Sequence, residues 1–417
     1  MKKVFVLILL GVVLCSASCI EKRVILGDEQ PEVYLPLLKG QRVALFSNQT
    51  GVVGDKVISG GIDERWDGVS NRALVPFGNP EVGEHILDAL VREGVDVRLV
   101  FSPEHGFRGK ADAGEHVEGE VDEKTGVPIL SLYGGGVKLD SLTFDGFDAL
   151  VVDIQDVGLR YYTYYVTMKN LIAACARYGK KVVILDRPNP NGFYVDGPLL
   201  DMAYKSGVGG LRIPIVHGMT LGELALMMVG EDWLDELRTP DVSVVKCKNY
   251  NHKMKYELIL APSPNIKNMQ AVYLYASTCY FEGTVMSLGR GTDWPFEMYG
   301  HPDMKNCDFS FTPRSVEGAK NPPLLDQLCY GRDLRGLSNE EIWEEGINIG
   351  YVIDAYLNLD MGQDFFGNGR FFKLLTGSAK IYNSILAGKT KEEIEASWAT
   401  DIAAFKARRK SYLLYHE

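Results

Sequence analysis

Apolar and polar positions along the first 250 residues alternate between the two periods that distinguish strands from helices. Short apolar runs typical of buried parallel strands are separated by stretches in which apolar residues recur every three or four positions. The predicted strands span residues 42–48, 95–101, 127–132, 149–154, 181–186 and 242–247, and the predicted helices span residues 84–93, 164–178 and 220–230. This alternation predicts an α/β fold, with a doubly wound, mostly parallel sheet covered by helices on both faces.

The pattern changes after about residue 260. A Pro-rich break at residues 261–265 is followed by a Gly-, Pro- and aromatic-rich stretch over residues 270–320, where we expect mainly irregular structure. Beyond it, strands are predicted near residues 347–359 and helices at about residues 368–386 and 390–409. The chain therefore divides into a larger Rossmann-like domain, residues 39–260, and a smaller α+β domain, residues 261–417, that closes a cleft against it.

The N-terminus has the organisation of an export signal. Lys2 and Lys3 precede an apolar run over residues 4–14 that is too short to span a bilayer. Small residues then lead to Cys19, as at a bacterial lipoprotein cleavage site. The sequence therefore predicts export to the periplasm and a membrane anchor on a lipidated Cys19. Ordinary cleavage within residues 1–19 is the alternative, and residues 20–38 are predicted to be a linker.

Composition excludes several classes of partner. The chain of 417 residues has a formal net charge of −11 and no Lys/Arg-rich block, so nucleic acid is not expected as a partner. No segment after the export signal is apolar and long enough to span a membrane. The five remaining cysteines have no CxxC spacing, which argues against a zinc site or a disulfide framework and leaves one or two disulfides open. Cys175 falls in a predicted helix and is expected in the core.

Nucleotide and metal motifs are absent from the sequence. No G-x-G-x-x-G joins the first strand to a helix and there is no P-loop, so a Rossmann-like topology here has no cofactor fingerprint. There is no HExxH among the seven histidines and no G-x-S-x-G elbow. We therefore expect no cofactor and no metal, and function is left to the loops.

Polar side chains follow most of the predicted parallel strands. Residues 47–50, 104–105, 153–156, 186–189 and 217–218 all lie where a strand ends, and parallel topology brings such ends to one rim of the sheet. The most distinctive of these groups is Glu104-His105, followed by Arg108. A carboxylate beside an imidazole and a guanidinium at a strand end is well placed for chemistry. Each group could instead cap an ordinary loop.

The second domain adds a cluster of charged and aromatic residues. Glu282 is followed by the loop that carries Arg290, Trp294 and Glu297. Aromatic rings beside carboxylates and an Arg suit a sugar, since the ring stacks and the hydroxyls bind the charged groups. A cleft between domains is a favoured ligand site. An aromatic contact between the domains is the alternative.

Several ordered blocks together resemble a known family. They are residues 46–51 (FSNQTG), 102–109 (SPEHGFRG), 153–158 (DIQDVG), 185–190 (LDRPNP), 217–220 (HGMT), 262–265 (PSPN), 282–284 (EGT), 289–292 (GRGT) and a C-terminal segment, 409–415. In these blocks the chain resembles the exo-β-N-acetylmuramidase family, NamZ-type glycosidases long catalogued as a domain of unknown function. The similarity runs from about residue 40 to the C-terminus.

The resemblance implies a Rossmann-like domain, a smaller C-terminal domain and an active site between them. It implies removal of β-1,4-linked N-acetylmuramic acid from the non-reducing end of peptidoglycan fragments. The family's favoured catalytic Glu matches Glu104, and His105 is the residue expected to act beside it. The candidate substrate-binding residues are Asn48, Arg108, Asp153, Gln155, Asp156, Arg160, Tyr164, Arg187, Asn189, His217, Asn265, Glu282, Arg290 and Glu297.

Three points of mechanism and function stay open from the sequence. The group that supports the anomeric carbon is open among Asp153, Asp156, Glu282, Glu297 and the substrate's own 2-acetamido group. The lactyl carboxylate of muramic acid is expected on one of three arginines, Arg108, Arg160 or Arg290. A surface-anchored protein that only binds cell-wall fragments, or a hydrolase of another peptidoglycan bond, is the competing function.

Overall fold

The structure is a computed structural model, and it describes residues 23–55, 74–75, 83–103, 107, 120–132 and 138–417. Cys19 and the predicted export segment lie outside these residues, so the anchor stays a prediction. Glu104, His105 and Arg108 also lie outside them. Within the described ranges, every helix is too short or too polar to cross a bilayer.

Seven strands form the main sheet. They are β1 (Arg42–Ser47), β2 (Asp96–Ser102), β3 (Glu120–Val121), β4 (Pro128–Ser131), β5 (Ala149–Asp153), β6 (Lys181–Leu185) and β7 (Asp241–Val245), in the spatial order β3-β4-β2-β1-β5-β6-β7. All neighbours are parallel except the short edge strand β3, which is antiparallel to β4. This confirms the predicted doubly wound α/β fold. The strand order reverses between β1 and β5, and ligands bind at such a switch point, outside the carboxyl ends of the strands.

Helices cover both faces of this sheet. They are α1 (Pro31–Leu38), α2 (Ile86–Arg92), α3 (Ser141–Asp145), α4 (Tyr164–Tyr178) and α5 (Leu221–Gly230). Alternate residues of each central strand point to opposite faces. In β1, Val43 and Leu45 pack in one core with α1 and α2, while Ala44 and Phe46 pack in the other with α4 and α5.

The second domain combines a small sheet with helices, as predicted. Its strands are β8 (Met298–His301), β9 (Phe309–Phe311) and β10 (Cys329–Asp333), antiparallel in the order β8-β10-β9. Its helices are α6 (Met269–Thr278), α7 (Asn339–Glu345), α8 (Gly350–Leu359), α9 (Arg370–Thr376), α10 (Lys380–Leu386), α11 (Lys391–Ala396) and α12 (Ala399–Arg409).

Three predictions for the second domain were wrong in detail. The strand expected near residues 347–359 is helix α8, because Val352, Ala355 and Leu359 recur at helical spacing and are all buried on one side. Helix α6 lies in the stretch expected to be irregular, and every one of its residues is buried, so it has no polar face to reveal its period. The structure has two helices in place of each predicted C-terminal helix. The first of these predicted helices is interrupted at Gly377, where φ is +78°.

Residues 20–38 were predicted as a linker, but the described part of this stretch is folded onto the sheet. Residues Gly27–Glu29 form a 3-10 turn and α1 follows directly. A Cβ on Gly27 would lie 2.5 Å from the backbone nitrogen of Asp186, so this position requires Gly for close approach to the end of β6. Asp28 is fully buried because it pairs with Arg187.

Cysteine chemistry plays no part in holding the described residues together. Cys175, Cys247, Cys279, Cys307 and Cys329 are all free thiols, so the disulfides left open by the sequence do not form among them. Cys175 is buried in α4, as predicted.

Direct polar contacts join the two domains. The Asp196 carboxylate accepts hydrogen bonds from the Trp398 indole N–H and the Ile347 backbone N–H, both at 2.9 Å. The Tyr161 hydroxyl lies 2.9 Å from the carbonyl oxygen of Tyr275. These contacts bury backbone and side-chain polar groups against partners in the other domain, which fixes how the domains meet.

The chain ends inside the first domain. The Tyr415 hydroxyl donates to the Asp186 carboxylate at 2.6 Å, and the Leu414 backbone N–H donates to Glu223 at 2.7 Å. Asp186 follows β6, and Glu223 forms the predicted capping box with Thr220 at the start of α5. The last residues of the chain therefore satisfy buried carboxylates of the first domain.

Candidate active site

The rim at the switch point is built around Asn48, directly after β1. Its Nδ2 donates to the Tyr164 hydroxyl at 2.9 Å, and its Oδ1 accepts from the Thr50 hydroxyl at 2.6 Å. The same Thr50 oxygen accepts from the backbone N–H of Gln155, after β5, at 2.9 Å. The structure thus brings together three of the sequence-predicted site residues, Asn48, Tyr164 and Gln155.

The rim is joined to the start of the second domain. Tyr162 and Tyr164 both donate their hydroxyls to the Pro262 carbonyl oxygen, at 2.8 and 3.1 Å. Three residues on, Asn265 donates through Nδ2 to the Gly318 carbonyl oxygen at 2.9 Å. The predicted site residue Asn265 therefore supports a loop of the second domain.

The described neighbours of Glu104 lie beside this rim. Pro103 follows β2 and is buried, and the buried Phe107 ring meets the His85 ring edge-on at 4.7 Å. His85 lies 2.7 Å from the Asn48 carbonyl oxygen through Nε2. Glu104, His105 and Arg108 are outside the described residues, so their roles stay predictions.

Arg187 and Asp153 belong to a buried charge cluster. The Arg187 Nε donates to Asp153 at 2.6 Å and its Nη2 donates to Asp28 at 2.7 Å, with all three side chains at most 2% exposed. Both residues were predicted to bind substrate. Their charges instead neutralise one another beneath the rim, which gives them a structural role.

Arg160 and Glu297 are likewise engaged in the interior. Arg160 is fully buried and donates to three backbone carbonyl oxygens, those of Pro198, Ile213 and Leu375, at 2.6 to 3.1 Å. Glu297 is fully buried and accepts from the Asn268 amide at 2.6 Å. Neither geometry leaves the charged group facing a ligand, so the substrate-binding role predicted for each does not fit this structure.

Asn189 and His217 support neighbouring loops. Asn189 donates to the Met219 carbonyl oxygen at 2.8 Å and accepts from the Asn191 backbone N–H at 2.8 Å. The His217 Nδ1 accepts from the Met219 backbone N–H at 3.2 Å. Burial, with Arg409 nearby, lowers the pKa of His217 to about 3, so the imidazole is neutral at physiological pH.

Asp156 and Gln155 line a small enclosed cavity beside β5 and β6. Its volume of about 10 Å³ is near the minimum for one water molecule. One oxygen of Asp156 accepts from the Gly158 backbone N–H at 2.7 Å, and the other is buried without a partner among the described residues. Burial raises the pKa of Asp156 to about 7, so the carboxyl is half protonated near neutral pH.

Asp156→Asn is expected to remove part of the pH dependence of stability. The native pKa of about 7 lies above the ordinary 3.8, so the folded state holds the proton more tightly and wild-type stability falls as pH rises between these values. Between pH 5 and pH 8 the wild type should lose about 2–3 kcal/mol relative to the variant, measured by urea unfolding. Asp186, whose pKa burial raises to about 6, contributes equally to both proteins. Parallel pH profiles would contradict the assignment.

A cleft of about 590 Å³ opens in the second domain. Its lining includes Glu282, Thr284, Arg290, Lys320, Asn321 and Phe371. Arg290 donates to one Glu282 oxygen through Nη2 at 2.6 Å and through Nε at 3.2 Å, and the two side chains are 24% and 23% exposed. The other N–H groups of Arg290 have no partner within the described ranges, so one edge of the guanidinium is left for a ligand.

The second wall of the cleft, residues 318–323, was not predicted. Asn265 holds it through Gly318, and Gly291 (φ +83°) packs so closely that a Cβ there would lie 2.6 Å from a Pro322 ring carbon. The segment Gly-Ala-Lys-Asn-Pro-Pro in the sequence is a turn signal, but nothing local indicates that this turn faces Arg290.

A row of aromatic rings connects the cleft to the rim. The Tyr162 ring contacts those of Tyr164 and Tyr275, with centroids 4.7 and 6.3 Å apart. Tyr275 meets Phe296 at 4.6 Å, and the Arg290 guanidinium lies 5.1 Å from the Phe296 ring centroid. A chain of buried ring contacts therefore links the strand-end rim to the cleft of the second domain.

Across the described residues, no three His, Cys, Asp or Glu side chains lie close enough together to hold a metal ion.

Comparison with known proteins gives matches over both domains. A family model described as "Exo-beta-N-acetylmuramidase NamZ, N-terminal" matches residues 69–270, and its C-terminal counterpart matches residues 273–415. "Peptidoglycan beta-N-acetylmuramidase NamZ" of Bacillus subtilis (strain 168) is 34% identical over 400 residues, which cover 92% of this chain and 89% of that protein.

Two crystal structures of DUF1343 family proteins from Bacteroides fragilis NCTC 9343 are also similar. One is 52% identical with a TM-score of 0.83 and covers 95% of this chain and all of its own. The other is 27% identical with a TM-score of 0.69 and covers 94% of this chain and 99% of its own.

Proposed function

The chain belongs to the exo-β-N-acetylmuramidase NamZ family, and we propose that it hydrolyses the β-1,4 bond of an N-acetylmuramic acid at the non-reducing end of peptidoglycan fragments. The observation that carries the proposal is the Glu282–Arg290 pair in a cleft of the second domain, which buried aromatic rings link to the strand-end rim. Such a cleft offers both hydroxyl-binding and carboxylate-binding groups to one sugar ring. The export signal predicted from the sequence agrees with a cell-wall substrate.

Arg290 is the proposed ligand of the lactyl carboxylate. Of the three arginines considered from the sequence, Arg160 is fully buried and donates to three carbonyl oxygens, and Arg108 lies outside the described residues. Arg290 uses one edge of its guanidinium on Glu282 and keeps donors for a second, bidentate carboxylate contact. N-acetylglucosamine has no such carboxylate, so this contact separates the two sugars.

We propose Glu104 as the general acid. It would give its proton to the leaving O4 of the next sugar, while water adds its OH to the anomeric carbon and returns a proton to the enzyme. Asp153 and Glu297 are engaged in buried contacts, so the candidates for the second group narrow to Asp156, Glu282 and the substrate's 2-acetamido group. His105 is proposed to act beside Glu104.

Two disaccharides of opposite order test the proposal. N-acetylmuramyl-N-acetylglucosamine should be cleaved to the two free sugars, detected by mass spectrometry. N-acetylglucosaminyl-N-acetylmuramic acid should stay intact, because its muramic acid is not at the non-reducing end. Binding of the first disaccharide without cleavage would favour the non-catalytic binding protein. Release of peptide from a muropeptide, with the glycan intact, would favour hydrolysis of another bond.

A further inference from the structure

Phe296 has a backbone conformation that bulky residues seldom adopt. Its φ is +72°, in the left-handed region, while its side chain is only 1% exposed. A non-Gly residue in this region is strained, and such strain persists only where the surroundings fix it, often at a functional site. A Gly or Asn would adopt this φ more readily, so the position has a reason to hold a large aromatic ring.

Contacts on two sides hold Phe296 in place. Its backbone N–H donates to the Leu288 carbonyl oxygen at 2.8 Å, which closes the loop that carries Arg290. Its ring meets the Tyr275 ring nearly edge-on, with centroids 4.6 Å apart and planes at 66°. Tyr275 belongs to α6, which is buried throughout, so the ring of Phe296 rests on a rigid element.

Arg290 lies on the solvent side of the buried Phe296 ring. Its guanidinium carbon lies 5.1 Å from the Phe296 centroid, within the range of a cation–π contact. Glu282 accepts hydrogen bonds from Nε and Nη2 of the same guanidinium. An Arg side chain has many rotamers, and two contacts from different directions reduce them to one. Arg290 lines the cleft, and its remaining donors are those on the Nη1 side of the guanidinium.

We propose that Phe296 is a positioning residue that sets the preference for a carboxylate-bearing sugar by fixing the guanidinium of Arg290. The hydrogen bond to Leu288 and the contact with Tyr275 keep the ring against Arg290. This inference rests on the proposed function, because it assumes that Arg290 meets the lactyl carboxylate of muramic acid. In this role Phe296 does not itself contact the substrate.

Binding of the free sugars tests the inference without requiring turnover. Titration calorimetry gives the Kd of the full chain for N-acetylmuramic acid and for N-acetylglucosamine, and the ratio of the two measures the preference. Arg290→Gln should reduce this preference by about 10- to 100-fold, because it removes a charge-assisted contact. Phe296→Leu keeps an apolar side chain but loses the ring, and should reduce the preference by roughly 3- to 10-fold.

Two further variants separate positioning from general support of the fold. Phe296→Tyr keeps the ring and should restore the wild-type preference. Phe365→Leu removes another fully buried ring of the same domain that contacts Tyr356 and Phe366, and should leave the preference unchanged. Thermal unfolding of each variant reports whether it is folded.

The outcomes distinguish the two proposals. If Arg290→Gln lowers the preference but Phe296→Leu does not, Arg290 binds the carboxylate and the role of Phe296 is wrong. If Phe296→Leu weakens both sugars equally, its role is structural only. If neither variant changes the preference, carboxylate recognition by Arg290 is wrong and the inference falls with it. Failure to cleave the disaccharide, with the preference intact, would overturn only the proposed hydrolysis.

Discussion

Glu104→Gln is expected to lower turnover of N-acetylmuramyl-N-acetylglucosamine by about 10²–10⁴-fold. General acid catalysis contributes a factor of this size, and Gln keeps the shape of Glu without a proton to give. The assay is the initial rate of free N-acetylmuramic acid release at neutral pH. A 4-nitrophenyl N-acetylmuramide should be affected less, since its leaving group needs little protonation.

Glu123→Gln is the matched control for this prediction. Glu123 is exposed in the turn before β4 of the same domain, so the same chemical change there should leave turnover unchanged. Near-normal turnover of the disaccharide by Glu104→Gln would show that Glu104 is not the acid. Asp156 and Glu282 would then be the next candidates.

Arg187→Gln is expected to lower the free energy of unfolding by about 3–5 kcal/mol. Removing one partner of a buried ion pair leaves the other charge without compensation, and here Asp28 and Asp153 would both be left. The midpoint and slope of urea unfolding measure the change. Protein that does not accumulate in folded form agrees with the same prediction.

Arg314→Gln provides the comparison for Arg187. Arg314 pairs with Asp326 at 2.6 Å, but both side chains are more than 60% exposed, so this substitution should cost at most about 1 kcal/mol. If Arg187→Gln instead unfolds like the wild type and binds substrate poorly, Arg187 is a substrate ligand, as the sequence predicts.

The first domain could be predicted from sequence because the spacing of apolar residues in its strands and helices shows their type. Parallel strands such as β5 and β6 are short apolar runs, and Thr220 and Glu223 form a recognisable capping box at the start of α5. The helices and strands of the second domain could not be predicted in the same detail. Helix α6 is buried on all sides, so no contrast between apolar and polar positions marks it.

The meeting of the strand ends at one rim could be predicted from the sequence, but the contacts of their side chains could not. Parallel topology correctly placed Asn48 and Gln155 on one rim. Residue type at a strand end does not tell whether a distant partner will neutralise the charge. Arg187 meets Asp28, which lies 159 positions away in the sequence, and that contact assigns it to the interior. Likewise, only the folded chain brings residues 318–323 opposite Arg290.

The contact between Tyr415 and Asp186 has a consequence for when the first domain can finish folding. The first domain has the buried carboxylates of Asp186 and Glu223 at its core, and both accept hydrogen bonds from residues 414–415. Thr220 and Gly222 also donate to Asp186, and Thr220 also donates to Glu223, but the contacts from residues 414–415 form only after this part of the chain has left the ribosome. The first domain therefore cannot complete its native packing until residue 415 has been synthesised. A chain that is exported before it folds would suffer no delay from this order, and one that lacked residues 414–415 would lose these contacts to Asp186 and Glu223.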